Sequence, residues 1–157
     1  MSAARPGVLL SLQRRVRGWS PARRDLEHWA RAALGRHGAG RELDVCTVGE
    51  SESARLNARF RGQDKPTNVL SFLAAQLPAT AAGAPSPLGE LVICPRVLEV
   101  EARDQEKTVR AHWAHLVVHG ALHLAGYDHV RAADARRMER REIAVLRRLG
   151  FANPYRS

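Results

Sequence analysis

The sequence has little cysteine, almost no lysine and no long apolar run. Its two cysteines, Cys46 and Cys94, do not form a C-x-x-C pair, which argues against a disulfide framework or a cysteine-based metal site. We expect both to be reduced thiols packed in buried strands. No apolar run approaches the roughly 20 residues that span a membrane. The run Val8–Leu10 is also too short for the core of a signal peptide, so neither a membrane span nor a secretory leader is expected.

The basic residues are nearly all arginine: 23 of the 25. With 16 acidic residues the formal net charge is +9, and the isoelectric point is about 11.1. Such an excess favours an anionic partner, of which nucleic acid is the usual one. The alternative is a solvated basic surface in a protein from an arginine-rich proteome, and charge alone does not decide between the two.

Hydrophobic periodicity and turn residues predict nine elements. Ser20-Pro21 has the residues preferred at a helix N-cap and first turn. The apolar stripe that follows is that of an amphipathic helix, and its members are Leu26, Trp29, Ala30, Ala33 and Leu34. The predicted elements are strands over 8–12, 43–48, 67–73 and 88–94, and helices over 20–34, 50–59, 95–105, 108–125 and 131–149.

The resulting order, β-α-β-α-β-β-α-α-α, predicts an α+β fold. We expect one mixed sheet of about four strands packed with about five helices. A single domain is predicted over residues 1–157, because this length suits one hydrophobic core. Within it, 1–6 are interpreted as a polar tail and 74–87, rich in alanine, proline and glycine, as a flexible loop.

One stretch, residues 115–129, concentrates histidine. His119 and His123 are four residues apart, so on a helix both rings project from one face. Gly126 is a suitable helix stop, after which the chain can turn back and bring His129 to the same point. Neutral imidazole suits zinc, and catalytic zinc takes three protein ligands and keeps one open position. We interpret His119, His123 and His129 as ligands of one zinc ion.

The offsets match the zinc-protease pattern H-E-x-x-H-x-x-G-x-x-H, with one exception. Gly120 stands where those proteases carry their glutamate general base. The alternative interpretation is a buried helix with incidental histidines. Three histidines at this spacing, with the glycine in register, favour a metal site over that alternative.

Two motifs together resemble the YbeY family of metal-dependent endoribonucleases and rRNA maturation factors of bacteria and organelles. The first is H-G-A-L-H-L-A-G-Y-D-H at 119–129, and the second is L-N-A-R-F-R-G-Q-D-K-P-T-N-V-L-S-F at 56–72. The strand L-G-E-L-V-I-C at 88–94 and the tail with Met138, Glu142, Leu149-Gly150 and Asn153-Pro154-Tyr155 also fit. The resemblance extends over nearly the whole chain. Leu73 departs from it, since a proline usually follows the Ser-Phe pair.

The resemblance implies a zinc-dependent hydrolase that cleaves single-stranded RNA. It implies zinc on His119, His123 and His129, and an arginine important for activity at Arg61. It further implies maturation of small-subunit rRNA, ribosome quality control, a bacterial cytoplasmic location, and ribosome or small-subunit proteins as partners. Neither a membrane nor DNA is expected to be a partner.

Several alternatives stay open from the sequence. The spacing alone also suits a zinc metalloprotease, and the zinc could instead be structural in a ribosome assembly factor without catalysis. No general base is identified. Asp128 could orient a ligand histidine or cap the last helix, and His115 is interpreted as a packing or supporting residue rather than a fourth ligand. Asp64, Lys65, Thr67 and Asn68 could line a groove or only shape a turn. The role of the basic last helix is undecided.

Overall fold

The computed structural model describes residues 7–76, 86–127 and 131–156. It contains four strands and five α-helices in the predicted order, so the α+β class is confirmed. The bounds are β1 Leu9–Arg14, α1 Arg23–Leu34, β2 Arg41–Thr47, α2 Glu50–Arg61, β3 Val69–Leu73, β4 Ser86–Ile93, α3 Pro95–Asp104, α4 Val109–Leu124 and α5 Ala132–Arg148.

The four strands form one mixed sheet in the order β1-β2-β4-β3. β2 pairs in parallel with both β1 and β4, whereas β3 runs antiparallel to β4. The antiparallel pair brings Leu70 opposite Val92 and Leu73 opposite Gly89. β3 is therefore an edge strand, and it contacts helix α4.

Different elements pack on the two faces of the sheet. Successive strand residues point to opposite faces. Val45 and Leu91 point into the main core, which α1, α3, α4 and α5 complete. Cys46 and Val92 point the other way, into a smaller cluster that Leu56 of α2 covers. Both cysteines are buried free thiols, as predicted, and burial raises the pKa of each.

Several local details differ from the sequence predictions. α1 begins at Arg23 with Ala22 as its N-cap, so the assignment of Ser20 as N-cap and Pro21 as first helical residue was wrong. The Ser20 hydroxyl instead accepts a hydrogen bond from Arg14 Nε (2.9 Å). The expected loop over 74–87 is shorter, because 74–76 form a 3-10 turn and 86–87 belong to β4.

The remaining sequence predictions concern the start of α5, the N-terminal tail, the loop and membrane spans. The N-cap of α5 is Arg131, whereas Asp128, which the sequence analysis considered for that role, lies outside the described residues. The predicted tail over 1–6 and most of the loop, 77–85, lie outside the described residues. Within the described part of the chain, no helix is long and apolar enough to span a membrane.

Candidate metal centre and active site

Helix α4 carries three histidines in a line on one face: His115, His119 and His123. Its N-terminus is fixed by Thr108, whose hydroxyl accepts a hydrogen bond from the Ala111 backbone N–H (3.1 Å). Most other faces of α4 are buried in the core, whereas these three side chains are only partly buried. The predicted placement of His119 and His123 on one helix face is therefore confirmed.

The third predicted ligand, His129, and its neighbour Asp128 lie outside the described residues. The chain reaches them through Gly126, which has a positive φ of 103° just after the end of α4. That conformation is the helix stop expected from the sequence. The ligand role of His129 remains a prediction.

Gly120 faces the sheet rather than the histidines. It is buried, and a Cβ built on it would lie 2.7 Å from Leu91 Cδ2 of β4. One residue on from His119, a helical position is rotated by about 100°. A glutamate here would enter the main core, so the position has no room for the general base of the zinc proteases.

Glu142 of α5 lies directly beneath the histidine row and is fully buried. His119 Nδ1 hydrogen-bonds to its Oε1, and the Tyr155 hydroxyl donates to its Oε2. His115 Nε2 lies 3.7 Å from the same Oε2 and 3.4 Å from the Tyr155 oxygen. A carboxylate is acceptor-only, so His119 donates through Nδ1 and its Nε2 is left as the lone-pair nitrogen.

These contacts shift the acidity of the buried groups. Burial alone would raise the pKa of Glu142, but the contacts with His115, His119 and Tyr155 outweigh it and lower the pKa to about 2. Burial and the bond to Glu142 raise the pKa of Tyr155. Glu142 is thus held ionised, and Tyr155 is held as the protonated donor.

His115, His119 and Glu142 also form a group that could itself hold a metal ion. Their possible ligand atoms all lie within 4.8 Å of one another. However, His119 Nδ1 already hydrogen-bonds directly to the carboxylate. A ring nitrogen that binds a metal carries no proton, so His119 Nδ1 cannot donate to Glu142 and bind an ion at the same time. The arrangement instead matches a carboxylate that orients a histidine whose other nitrogen binds metal.

A groove of about 420 Å³ runs past the exposed side of the histidines. Arg61, the last residue of α2, lies in its wall together with His119 and His123. The Arg61 guanidinium donates to the carbonyls of Ser71 (2.8 Å) and Phe60 (3.1 Å), and it lies over the Phe72 ring. A guanidinium has five N–H donors, so the anchored group retains donors for an anion in the groove.

The turn between α2 and β3 is held by polar side chains that the sequence analysis did not single out. Ser53 Oγ exchanges two hydrogen bonds with the Thr67 backbone, and Asn57 donates to the Lys65 carbonyl (2.8 Å). Both side chains are buried in α2. Polar residues on the inner face of a short amphipathic helix could have indicated this role.

Of the four turn residues considered for the groove, Thr67 and Asn68 line it and the other two do not. The Asn68 amide donates a hydrogen bond to Glu101 of α3 (3.1 Å), and Glu101 is also hydrogen-bonded to buried His112 of α4 (2.9 Å). Asn68 therefore connects the groove wall to α3 directly and to α4 through Glu101. Its side chain acts in support of the groove.

The family model described as "Endoribonuclease YbeY" matches residues 18–150. The chain belongs to the YbeY family. It is 50% identical over 148 residues to a protein named Endoribonuclease YbeY from Methylococcus capsulatus, covering 94% of this chain and 95% of that protein. The solution structure of TM1509 from Thermotoga maritima is similar, with a TM-score of 0.56 and 25% identity, covering 95% of this chain and all of the other.

In this YbeY family member, the two motif blocks that carry the resemblance line the same groove. Arg61 and Ser71 come from the block at 56–72, and His119 and His123 from the block at 119–129. The departure at Leu73 lies at the end of β3, where its backbone N–H bonds to Gln76 Oε1 (2.8 Å). Leu73 does not line the groove.

Proposed function

We propose that the chain is a zinc-dependent endoribonuclease that cleaves single-stranded RNA. The observation that carries this is the shared groove of this YbeY family chain, which is lined both by an anchored guanidinium and by a row of partly buried histidines. The net charge of +9 suits a polyanionic substrate. The biological role proposed with it is maturation of small-subunit rRNA and ribosome quality control in the bacterial cytoplasm, with an rRNA precursor and small-subunit proteins as partners.

His119, His123 and His129 are the proposed ligands of one zinc ion per chain. The donor set fits, because the Glu142 contact leaves His119 Nε2 as the nitrogen with a lone pair, and imidazole nitrogens suit zinc. A bound zinc ion supplies Lewis-acid stabilisation of charge on a phosphate and lowers the pKa of water. Arg61 is proposed to hold a phosphate oxygen of the scissile linkage, for which its planar fork is suited.

The test compares metal content and RNA cleavage in matched histidine variants. His123→Ala should lose zinc and cleavage, and His115→Ala should retain the metal. His28→Ala, exposed on α1, is the control for loss of a histidine. If His115→Ala loses the ion while His123→Ala keeps it, the ligand set is instead His115, His119 and Glu142. Equal cleavage by wild type and a His119→Ala/His123→Ala variant would assign the activity to a contaminant.

A second experiment separates catalysis from a purely structural zinc. Arg61→Ala should lower RNA cleavage by about 100-fold, the usual effect of removing one preorganised donor, with the zinc content unchanged. Arg59→Ala, two residues earlier on α2 and exposed, is the matched control. Normal rRNA processing with Arg61→Ala, combined with unfolding on metal removal, would support an assembly factor with structural zinc.

The metalloprotease alternative is disfavoured by the surroundings of Gly120. Its environment between α4 and Leu91 excludes a glutamate at that position. Chelator-sensitive turnover of a casein-type substrate would support this alternative despite that packing.

A further inference from the structure

Helix α5 presents an arginine surface that the metal site does not use. Its buried residues, Met138, Glu142, Val145 and Leu146, define the inner side of the helix. At about 100° per residue, six arginines fall within an arc of about 140° opposite Glu142. We call these the α5 arginine face: Arg136, Arg137, Arg140, Arg141, Arg147 and Arg148. Five of them are exposed and Arg141 is partly buried.

No ion pair within the described residues neutralises the charge of this face, although Asp134 lines the same pocket as Arg137. Elsewhere arginines pair with carboxylates, as Arg15 does with Glu52 and Arg110 with Asp25. Among the residues that the structure describes, none of the six arginines of the face forms an ion pair. Glu142, one of the three acids of α5, is turned inward and bound to His119, so it cannot neutralise the face.

The arginines also repel one another along the helix. Pairs such as Arg136 with Arg140, and Arg137 with Arg141, are four residues apart and are neighbours on the helix surface. Like charges at that spacing destabilise a helix. A row of anions along α5 would relieve this repulsion, whereas ordinary solvation only screens it.

The face is on the side of α5 away from Glu142 and His119, but its N-terminal end lies near the chain segment that leads toward His129. Arg137 lines a small pocket with Gly126 and Tyr127, the residues that lead from α4 toward His129. On the inner side of the same helix, Glu142 contacts His119. The face extends about 18 Å along the helix from Arg136 to Arg148, so an RNA strand that passes Gly126 and Tyr127 can continue onto it.

We propose that the α5 arginine face binds the phosphate backbone of the RNA strand beyond the cleavage position. This proposal rests on the proposed function. It assigns to α5 the dependence of RNA affinity on strand length and on salt concentration, and no part in the cleavage chemistry. Arginine is suited to the task because its planar guanidinium matches phosphate oxygens. The contacts are to backbone phosphates and carry no base specificity.

The test uses variants that each remove three positive charges. Arg137→Gln/Arg141→Gln/Arg148→Gln and Arg136→Gln/Arg140→Gln/Arg147→Gln each remove half of the face. The second triple variant replaces the first in the test if the first fails to fold. The control is Arg17→Gln/Arg24→Gln/Arg36→Gln, three exposed arginines away from α5. Binding of a long fluorescent single-stranded RNA is measured in chelator, so that no cleavage occurs, as a function of salt concentration.

Loss of three phosphate contacts should reduce the slope of log affinity against log salt by about 2, since each contact on a single strand contributes about 0.7. Affinity at low salt should fall at least about 10-fold, and the control should retain the wild-type slope. Cleavage of saturating RNA by the zinc-loaded variants should keep a wild-type rate. An equal loss in the control would overturn the proposal, because only net charge would then matter. Binding of the face to anionic lipid vesicles, with RNA affinity unchanged in the variants, would also overturn it.

The outcome is separable from that of the proposed function. Wild-type protein that binds RNA through α5 but does not cleave it would support the face and contradict the nuclease. Cleavage by wild type with no change of slope in either α5 variant would contradict the face alone.

Discussion

Glu142 is a single residue on which the candidate site depends. A buried carboxylate is stable only when charged and polar partners surround it, and His119 and Tyr155 supply hydrogen bonds from two different parts of the chain. The bond to His119 selects the nitrogen that carries the proton. In the neutral imidazole the other nitrogen, Nε2, then carries the lone pair that the proposed zinc ion would bind.

Replacement of Glu142 by glutamine should therefore weaken metal binding. The amide is uncharged and can present an N–H to His119, so the orientation and basicity of the ring are no longer fixed. Loss of such a partner lowers metal affinity by about 10- to 100-fold, which competition with a chelator measures. Glu139→Gln, exposed one turn earlier on α5, should bind zinc like the wild type. Unchanged affinity in Glu142→Gln would contradict the orienting role.

At the scale of elements, local sequence patterns were sufficient for most of the fold. The apolar stripe that includes Leu26 and Trp29 is the buried face of α1, and Pro95 is the first residue of α3. Such patterns depend on neighbours within a turn or two, which the sequence contains directly. The prediction of a helix start at Ser20-Pro21 was wrong because the Ser20 hydroxyl accepts a hydrogen bond from Arg14, six residues away, instead of capping the helix.

Gly89 shows how a single position couples two elements. It lies in β4 with a φ of 158°, and a Cβ there would lie 2.4 Å from the Phe72 carbonyl oxygen of β3 and 2.9 Å from Leu124 of α4. The carbonyl belongs to the backbone of the paired strand, so it cannot move away without disturbing the pairing. The glycine thus permits the close approach of β3, β4 and the end of α4.

Gly89→Ala should destabilise the protein by about 3 kcal/mol, which is within the range for overpacking in a core. Denaturant titration at equilibrium measures this free energy. Gly62→Ala is the matched control, because Gly62 also has a positive φ (71°) but has open space around it. That variant should lose only about 1–2 kcal/mol, the backbone cost of a left-handed alanine. Equal losses would show that crowding at Phe72 is unimportant.

At the scale of the whole molecule, the contacts that complete the site are long-range. His119 and Glu142 are 23 residues apart, and His115 and Tyr155 are 40 apart. The sequence placed His119 and His123 on one helix face, but periodicity does not say which element that face meets. The packing of α5 on α4 and the return of the C-terminal segment decide that. Net charge has the same limitation as a predictor. The value of +9 is a sum over the whole sequence, and only the fold determines where the arginines cluster.

The buried carboxylate should also give the whole molecule a pH-dependent stability. The pKa of Glu142 is about 2 in the folded protein, against an ordinary value of 4.5. Because the folded pKa is the lower one, its ionised form stabilises the fold above about pH 4.5, and this contribution is lost as the pH falls through about 2. The shift corresponds to a contribution of the order of 3 kcal/mol.

Metal-free wild type and Glu142→Gln should therefore converge in acid. At about pH 6 the wild type should have the larger free energy of unfolding, and the difference should shrink by roughly 3 kcal/mol by about pH 2, because only the wild type has this carboxylate to protonate. Denaturant titrations across that range measure both values. Glu139→Gln should follow the wild type throughout. A constant difference between wild type and Glu142→Gln would mean that the fold does not lower the pKa of Glu142, which would contradict the stabilisation of its anion by His119 and Tyr155.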